Sequence, residues 1–202
     1  MFALVDNEQI TKHLSGNRGI TLGDIQYPRS IFTLWSAAER EAIGIYEVVW
    51  DNTNKKDEAY YNNTNVIYGY ASGVVTASYG SATANALADA NATDADGVEL
   101  DPVVVIEGLK TKHKRIIKQQ ASGLLTPTDW YILKATDVES YSVPSAITTY
   151  RANVRTKSND MEVLIDACST VDELATLYKY VNTGTEENPV MERPLGEFPE
   201  AV

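Results

Sequence analysis

Few side chains in this chain of 202 residues are spaced to do covalent or metal chemistry. Its two histidines stand apart, His13 in a polar stretch near the N-terminus and His113 among lysines. Neither has an Asp or Glu at a metal-ligand or triad spacing. The single cysteine, Cys168, excludes an internal disulfide framework and a multi-cysteine metal site. It follows Leu164 and Ile165 at helical spacing, which predicts a buried structural thiol and not a nucleophile. Asp94, Asp96 and Gly97 resemble the start of a calcium loop. The position that would close such a loop with an oxygen ligand is Val105, so the segment reads as a solvated turn. Glu186 and Glu187 sit in a proline-punctuated stretch, where burial cannot raise a carboxylate pKa. There is no GxGxxG, no GxxxxGK[ST] and no GxSxG. The residues therefore predict a non-enzymatic protein with no catalytic residue, no metal and no cofactor.

Recognition chemistry is better represented. Trp130, Tyr131, Tyr150, Arg151 and Arg155 are residue types that dominate protein–protein hot spots. Arg151 and Arg155 are four apart and share a helix face, from which they can stack on Trp130 or pair with Asp129. Tyr60, Tyr61, Tyr68, Tyr70 and Tyr79 cluster in an apparent hairpin. Alternating tyrosines form either half-buried sheet residues or a binding face, here chiefly through Tyr68 and Tyr70. Lys110, Lys112, Lys114, Arg115 and Lys118 form one basic cluster, either a solvated helix face or a dock for an acidic partner.

The formal charge of −11 is uneven. Residues 1–100 carry 6 basic and 13 acidic side chains, residues 101–182 carry 10 of each, and residues 183–202 carry 1 and 5. An acidic chain is a poor nucleic-acid binder, so no nucleic-acid partner is expected. Apolar runs such as Met1–Val5 and Val103–Ile106 fall far short of a membrane span, and no membrane insertion is expected. The first residues show neither a basic n-region nor a long apolar core, so no signal peptide is expected.

The pattern of elements predicts an α+β protein. A β-rich N-terminal domain with one short helix spans 1–97, a helical bundle spans 98–182, and an extended acidic tail spans 183–202. Strands are expected at Phe2–Val5, Ile20–Tyr27 and Ile45–Trp50. A hairpin is expected from Tyr60–Tyr70 and Val74–Tyr79 around Ala71-Ser72-Gly73. Ser36 and Glu39 make a capping box for a helix reaching Ile43 and ending at a left-handed Gly44. Ala82–Ala92 predicts a short helix. Asp101-Pro102 predicts the start of a helix of roughly twenty residues, about 30 Å long, ending at Gly123. Its apolar stripe would be Val105, Ile106, Leu109, Ile116, Ile117 and Ala121. Thr128-Asp129 should cap a short helix carrying Trp130, Tyr131 and Leu133. Pro144 opens the next, with stripe Ile147, Tyr150, Val154, Met161, Leu164 or Ile165, and Cys168. Thr170 and Glu173 form a second capping box, leading into Leu174, Leu177, Tyr178 and Val181. With three prolines and five glutamates, Thr185–Val202 should be mobile or held by a partner, and its deletion should barely affect stability. If Trp130 is core, Trp130→Ala should cost roughly 3–5 kcal/mol.

Leu124, Leu125, Thr128, Asp129, Trp130, Pro144, Tyr150, Arg151, Val154 and Arg155 resemble a motif of bacteriophage tail assembly chaperone and tail-fibre-assembly proteins. There a helix precedes L-L-x-x-[ST]-D-W, and Y-R-x-x-[LV]-R follows a proline. Gln26-Tyr27-Pro28, Ser36–Glu39 and Gly44–Val48 are similar to N-terminal parts of such proteins. The resemblance implies a viral protein, made in the cytoplasm of an infected bacterium, that binds other tail or tail-fibre proteins in a multi-subunit assembly. The expected role is a structural part of the virion tail. The alternatives are a transient fibre-assembly chaperone absent from the particle, and a host-surface glycan-binding module using the tyrosine hairpin.

Overall fold

A computed structural model describes residues 1–202 as a mixed α+β chain of two compact units, Met1–Thr83 and Ala84–Val202. Residues 84–97, expected with the β-rich part, belong to the second unit.

In the first unit, β1 (Phe2–Asp6) and β2 (Gln9–Leu14) form a hairpin. Its two turn residues, Asn7 and Glu8, have φ of 49° and 62°. Such a left-handed pair matches the twist of antiparallel strands. The sequence reading missed β2, whose polar residues leave little periodicity. The single strand expected over Ile20–Tyr27 is instead a small hairpin, β3 (Ile20–Leu22) and β4 (Ile25–Tyr27), because Gly23 turns the chain at φ 58°. After a short α1 (Ile31–Leu34), α2 (Ala37–Glu41) starts at the predicted capping box. Glu39 N donates to Ser36 Oγ at 3.3 Å, and Ser36 N donates to Glu39 Oε2 at 2.8 Å. Gly44 is left-handed as expected, at φ 77°, and a Cβ there would stand 2.7 Å from Val5 O.

Strands β5 (Ile45–Asp51), β6 (Tyr61–Asn62), β7 (Val66–Ala71), β8 (Val74–Tyr79) and β9 (Thr83–Ala84) follow. The main sheet runs β2-β1-β5-β8-β7, with β5 and β8 parallel and the other pairs antiparallel. It curls until its edges approach, with the rings of His13 and Tyr68 4.2 Å apart. Each face carries a core. Ala3, Val48, Val75 and Ala77 are buried inside the curl, with Tyr46, Tyr68 and Tyr70 against them. On the other face Ile45 and Leu14 pack on Ile31 and Phe32 of α1.

The second unit departs more from expectation. Ala82–Ala92 is not helical. Its strand β10 (Ala90–Asn91) pairs with β11 (Val105–Ile106), so no helix begins at Asp101-Pro102. The β-branched run Val103–Ile106 favours the extended state over the cap signal before it. Helix α3 (Leu109–Leu125) begins later, capped from across the chain. Leu109 N and Lys110 N donate to Ala86 O and Leu87 O, at 2.8 and 3.1 Å. Gly108 N and Thr111 Oγ1 donate to the Asp89 carboxylate at 2.7 and 2.9 Å, holding its pKa below the usual value. Only glycine fits at 108, since a Cβ would sit 2.4 Å from Ala88 O. α3 runs through Gly123, and only Leu109, Ile117 and Ala121 of its predicted stripe are buried.

A 3-10 turn over Thr126–Thr128 leads into α4 (Asp129–Asp137), then α5 (Ser145–Ala167) and α6 (Val171–Tyr178). The Thr170–Glu173 capping box forms, with Glu173 N donating to Thr170 Oγ1 at 3.2 Å. On α5 the stripe continues through Ile165, while Leu164 is 37% exposed. Cys168 is buried, and burial pushes its thiol pKa up. Asp94 accepts from Asp96 N and Val98 N, which makes a local turn of that segment.

Val181 is outside α6, and residues 183–202 do not form an extended tail. β12 (Val181–Asn182) pairs with β13 (Met191–Glu192). Leu195 is fully buried, and its amide donates to Leu177 O at 3.0 Å. Phe198 packs against Ala121, Tyr150 and Val154. Apolar anchors override the acidic, proline-rich composition. No helix is long and apolar enough to cross a membrane.

Leu195→Ala should lower unfolding free energy by roughly 2–5 kcal/mol, read from denaturant titration. An unchanged midpoint would remove Leu195 from the core. His113, half-buried against Tyr178, has its pKa pushed below 6.5 by burial. The unfolded chain therefore takes up the proton first, and stability falls as pH drops through 6.5 and below. His113→Gln should flatten the decline of melting temperature between about pH 7 and 5.

Candidate interaction surface

The predicted Trp/Tyr/Arg set gathers at the corner where α3 turns into α4. Thr128 is buried, and its Oγ1 donates to Leu125 O at 2.7 Å. Arg151 reaches this corner from α5. Its Nη1 donates to Leu125 O at 3.0 Å, to Thr128 Oγ1, and to Asp129 Oδ1 at 2.8 Å. The Arg151 side chain is only 9% exposed while that of Asp129 is 52% exposed. Burying a guanidinium is costly, and these charge-assisted and carbonyl contacts offset that cost. Tyr150 is buried next to it, donating from its hydroxyl to Leu124 O at 3.3 Å. Arg151 and Tyr150 are thus structural, and the expected pairing with Asp129 is present.

Helix α4 is pinned at its first turn but buries none of its nine residues. Trp130 is 49% exposed, Ile132 41%, Leu133 65% and, just beyond, Val138 42%. Trp130 is therefore not core, and Trp130→Ala should cost no more than roughly 1 kcal/mol. Its ring lies 3.8 Å from that of Tyr131, centroid to centroid. Lys134 Nζ lies 5.8 Å from the Trp130 ring and 4.4 Å from that of Tyr141. The result is an exposed aromatic and aliphatic surface on a short, anchored helix. Ile132 and Val138 were missed in the sequence. The missing signal was an apolar stripe on neighbouring elements that could cover them.

The basic cluster is largely matched within its own unit. Lys110 Nζ donates to Asp166 O and Lys114 Nζ to Asp166 Oδ1, both at 2.8 Å. Arg115 pairs with Glu107 at 2.7 Å and Lys118 with Glu162 at 3.2 Å. Such exposed pairs add little stability, but they quench the positive surface an acidic partner would need. In the first unit, Tyr68 and Tyr70 face the inside of the curled sheet. Tyr70 donates to the Tyr46 hydroxyl at 3.3 Å, and Tyr68 stacks on His13. They are half-buried sheet residues. Comparison of the chain with family models, curated proteins and solved structures found no match.

Arg151→Ala should destabilise the second unit by roughly 1–3 kcal/mol, because it leaves the Leu125 carbonyl and the Thr128 hydroxyl without their donor. Amide exchange across residues 129–137 should accelerate before any global loss. Unchanged protection there would show that α4 does not depend on Arg151.

Proposed function

We propose that this chain is a non-catalytic bacteriophage tail or tail-fibre protein that binds other tail components and resides in the virion tail. The observation that carries the reading is α4, a helix fixed in place yet with no buried residue, presenting Trp130, Ile132 and Leu133. A surface of this kind suits a protein partner. The motif resemblance supports it through the same corner: Leu125, Thr128, Asp129 and Arg151 are bonded to one another. Order in residues 183–202 comes from contacts within the chain and is no argument for a partner.

Protein identification on purified virions tests residency. Presence supports it, and absence from the particle with binding to fibre protein in lysed infected cells would make the chain an assembly chaperone. The α4 surface is tested by Leu133→Asp. That change should leave the melting temperature within the range of ordinary surface substitutions, about 0.5 kcal/mol, yet weaken co-purification with tail proteins roughly tenfold or more. Undiminished co-purification would overturn the assignment of α4 as the contact.

A further inference from the structure

Residues 89–107 form an arm of the second unit. Strands β10 and β11 make a sheet of only two strands, continued by Ala92 N donating to Val104 O at 2.7 Å and by a bridge between Thr93 and Glu99. Asp94 closes the tip by accepting from Asp96 N and Val98 N. The root is tied to the start of α3, where Gly108 N donates to Asp89. Beyond that root, every residue from Thr93 to Ile106 is exposed. Val98, Leu100, Val103, Val104, Val105 and Ile106 are between 36% and 62% exposed. Exposed aliphatics are ordinarily scattered singly, so this set gathered on one hairpin marks a contact that the chain does not make with itself.

Val103–Ile106 shows the kind of contact. Successive strand residues point to opposite faces, so this run is apolar on both. Such a run suits a strand covered on both sides, not one lying flat on a surface. Its outer edge is open as well. Val104 turns its backbone polar groups towards β10, so Val103 and Val105 turn theirs away, where no strand receives them. Between Pro102 and Glu107 this edge holds neither a charge nor a proline, the residues that ordinarily block strand addition.

Charge selects the occupant. The arm carries Asp89, Asp94, Asp96, Glu99, Asp101 and Glu107, and no Lys, Arg or His. Asp89 is engaged in the cap of α3 and Glu107 by Arg115. Asp94, Asp96, Glu99 and Asp101 meet no cation. The arm of a second copy would bring only more carboxylates, and the chain's charge of −11 opposes both self-association and anionic surfaces.

We infer that the arm adds its Val103–Ile106 edge to an edge strand of another protein, apolar at its centre and flanked by Lys or Arg. Backbone bonds at Val103 and Val105 supply the attachment, and the unpaired carboxylates supply charge complementarity. No residue of α4 takes part, so this contact and the one proposed for that helix can fail separately.

The experiment titrates the peptide Lys-Lys-Val-Val-Val-Lys-Lys, blocked at both ends, into the full-length, isotope-labelled protein at low salt and follows backbone amide shifts. Saturable shifts should appear at residues 103–106. Val105→Pro removes an outward donor but not the Ala92–Val104 bond, and it should weaken binding roughly tenfold or more. The double change Asp96→Asn and Asp101→Asn should weaken it roughly threefold and flatten its salt dependence, with the amides of α3 unshifted. The same peptide with Glu in place of Lys should not bind. No saturable shift, shifts centred on α4, undiminished affinity in Val105→Pro, or equal affinity for the Glu peptide would each overturn the inference. So would sedimentation showing that the arm pairs with a second copy when no peptide is present.

Discussion

The second unit is organised around one guanidinium. Arg151 projects from the second turn of α5 into the corner between α3 and α4, where it meets a carbonyl, a hydroxyl and a carboxylate. A helix of nine residues with no buried side chain does not persist by itself in water. The ion pair with Asp129 and the 3-10 turn before it fix the direction in which α4 leaves. The position of the exposed helix therefore follows from a single buried charge.

How much of this was legible depends on how local the signal is. Both capping boxes, the left-handed Gly44 and the α5 stripe are written within a few residues, and each appears where the sequence places it. Misreadings came where distant residues decide. Asp101-Pro102 is a sound local start signal, yet the groups that cap α3 are Ala86, Leu87 and Asp89. Residues 183–202 look like a free acidic tail until Leu195 and Phe198 are seen to pack on helices. Trp130 reads as core by type, but nothing in the sequence says that no element covers α4.

Charge pairing narrows where recognition can occur. The lysine-rich face of α3 is the obvious electrostatic feature in the sequence, but carboxylates of the same unit already meet Lys114, Arg115 and Lys118, and Lys110 donates to the Asp166 carbonyl. Tyr46, Tyr68 and Tyr70 of the first unit are likewise turned inward, toward Val48 and Val75. Helix α4 instead turns apolar side chains outward, and these suit an aliphatic or aromatic surface of a partner.

The cap of α3 has a consequence for the order in which this chain acquires structure. Two of the helix's first amides and the Gly108 amide are satisfied by residues about twenty positions earlier, so the first turn cannot close from local sequence alone. As the polypeptide is synthesised, the Ala86–Asp89 segment emerges first and waits for Gly108 to arrive. Helix α3 thus matures as part of a looped unit that includes its own leading arm. A fragment beginning at Leu109 would have the helix's sequence but not the groups that hold its beginning.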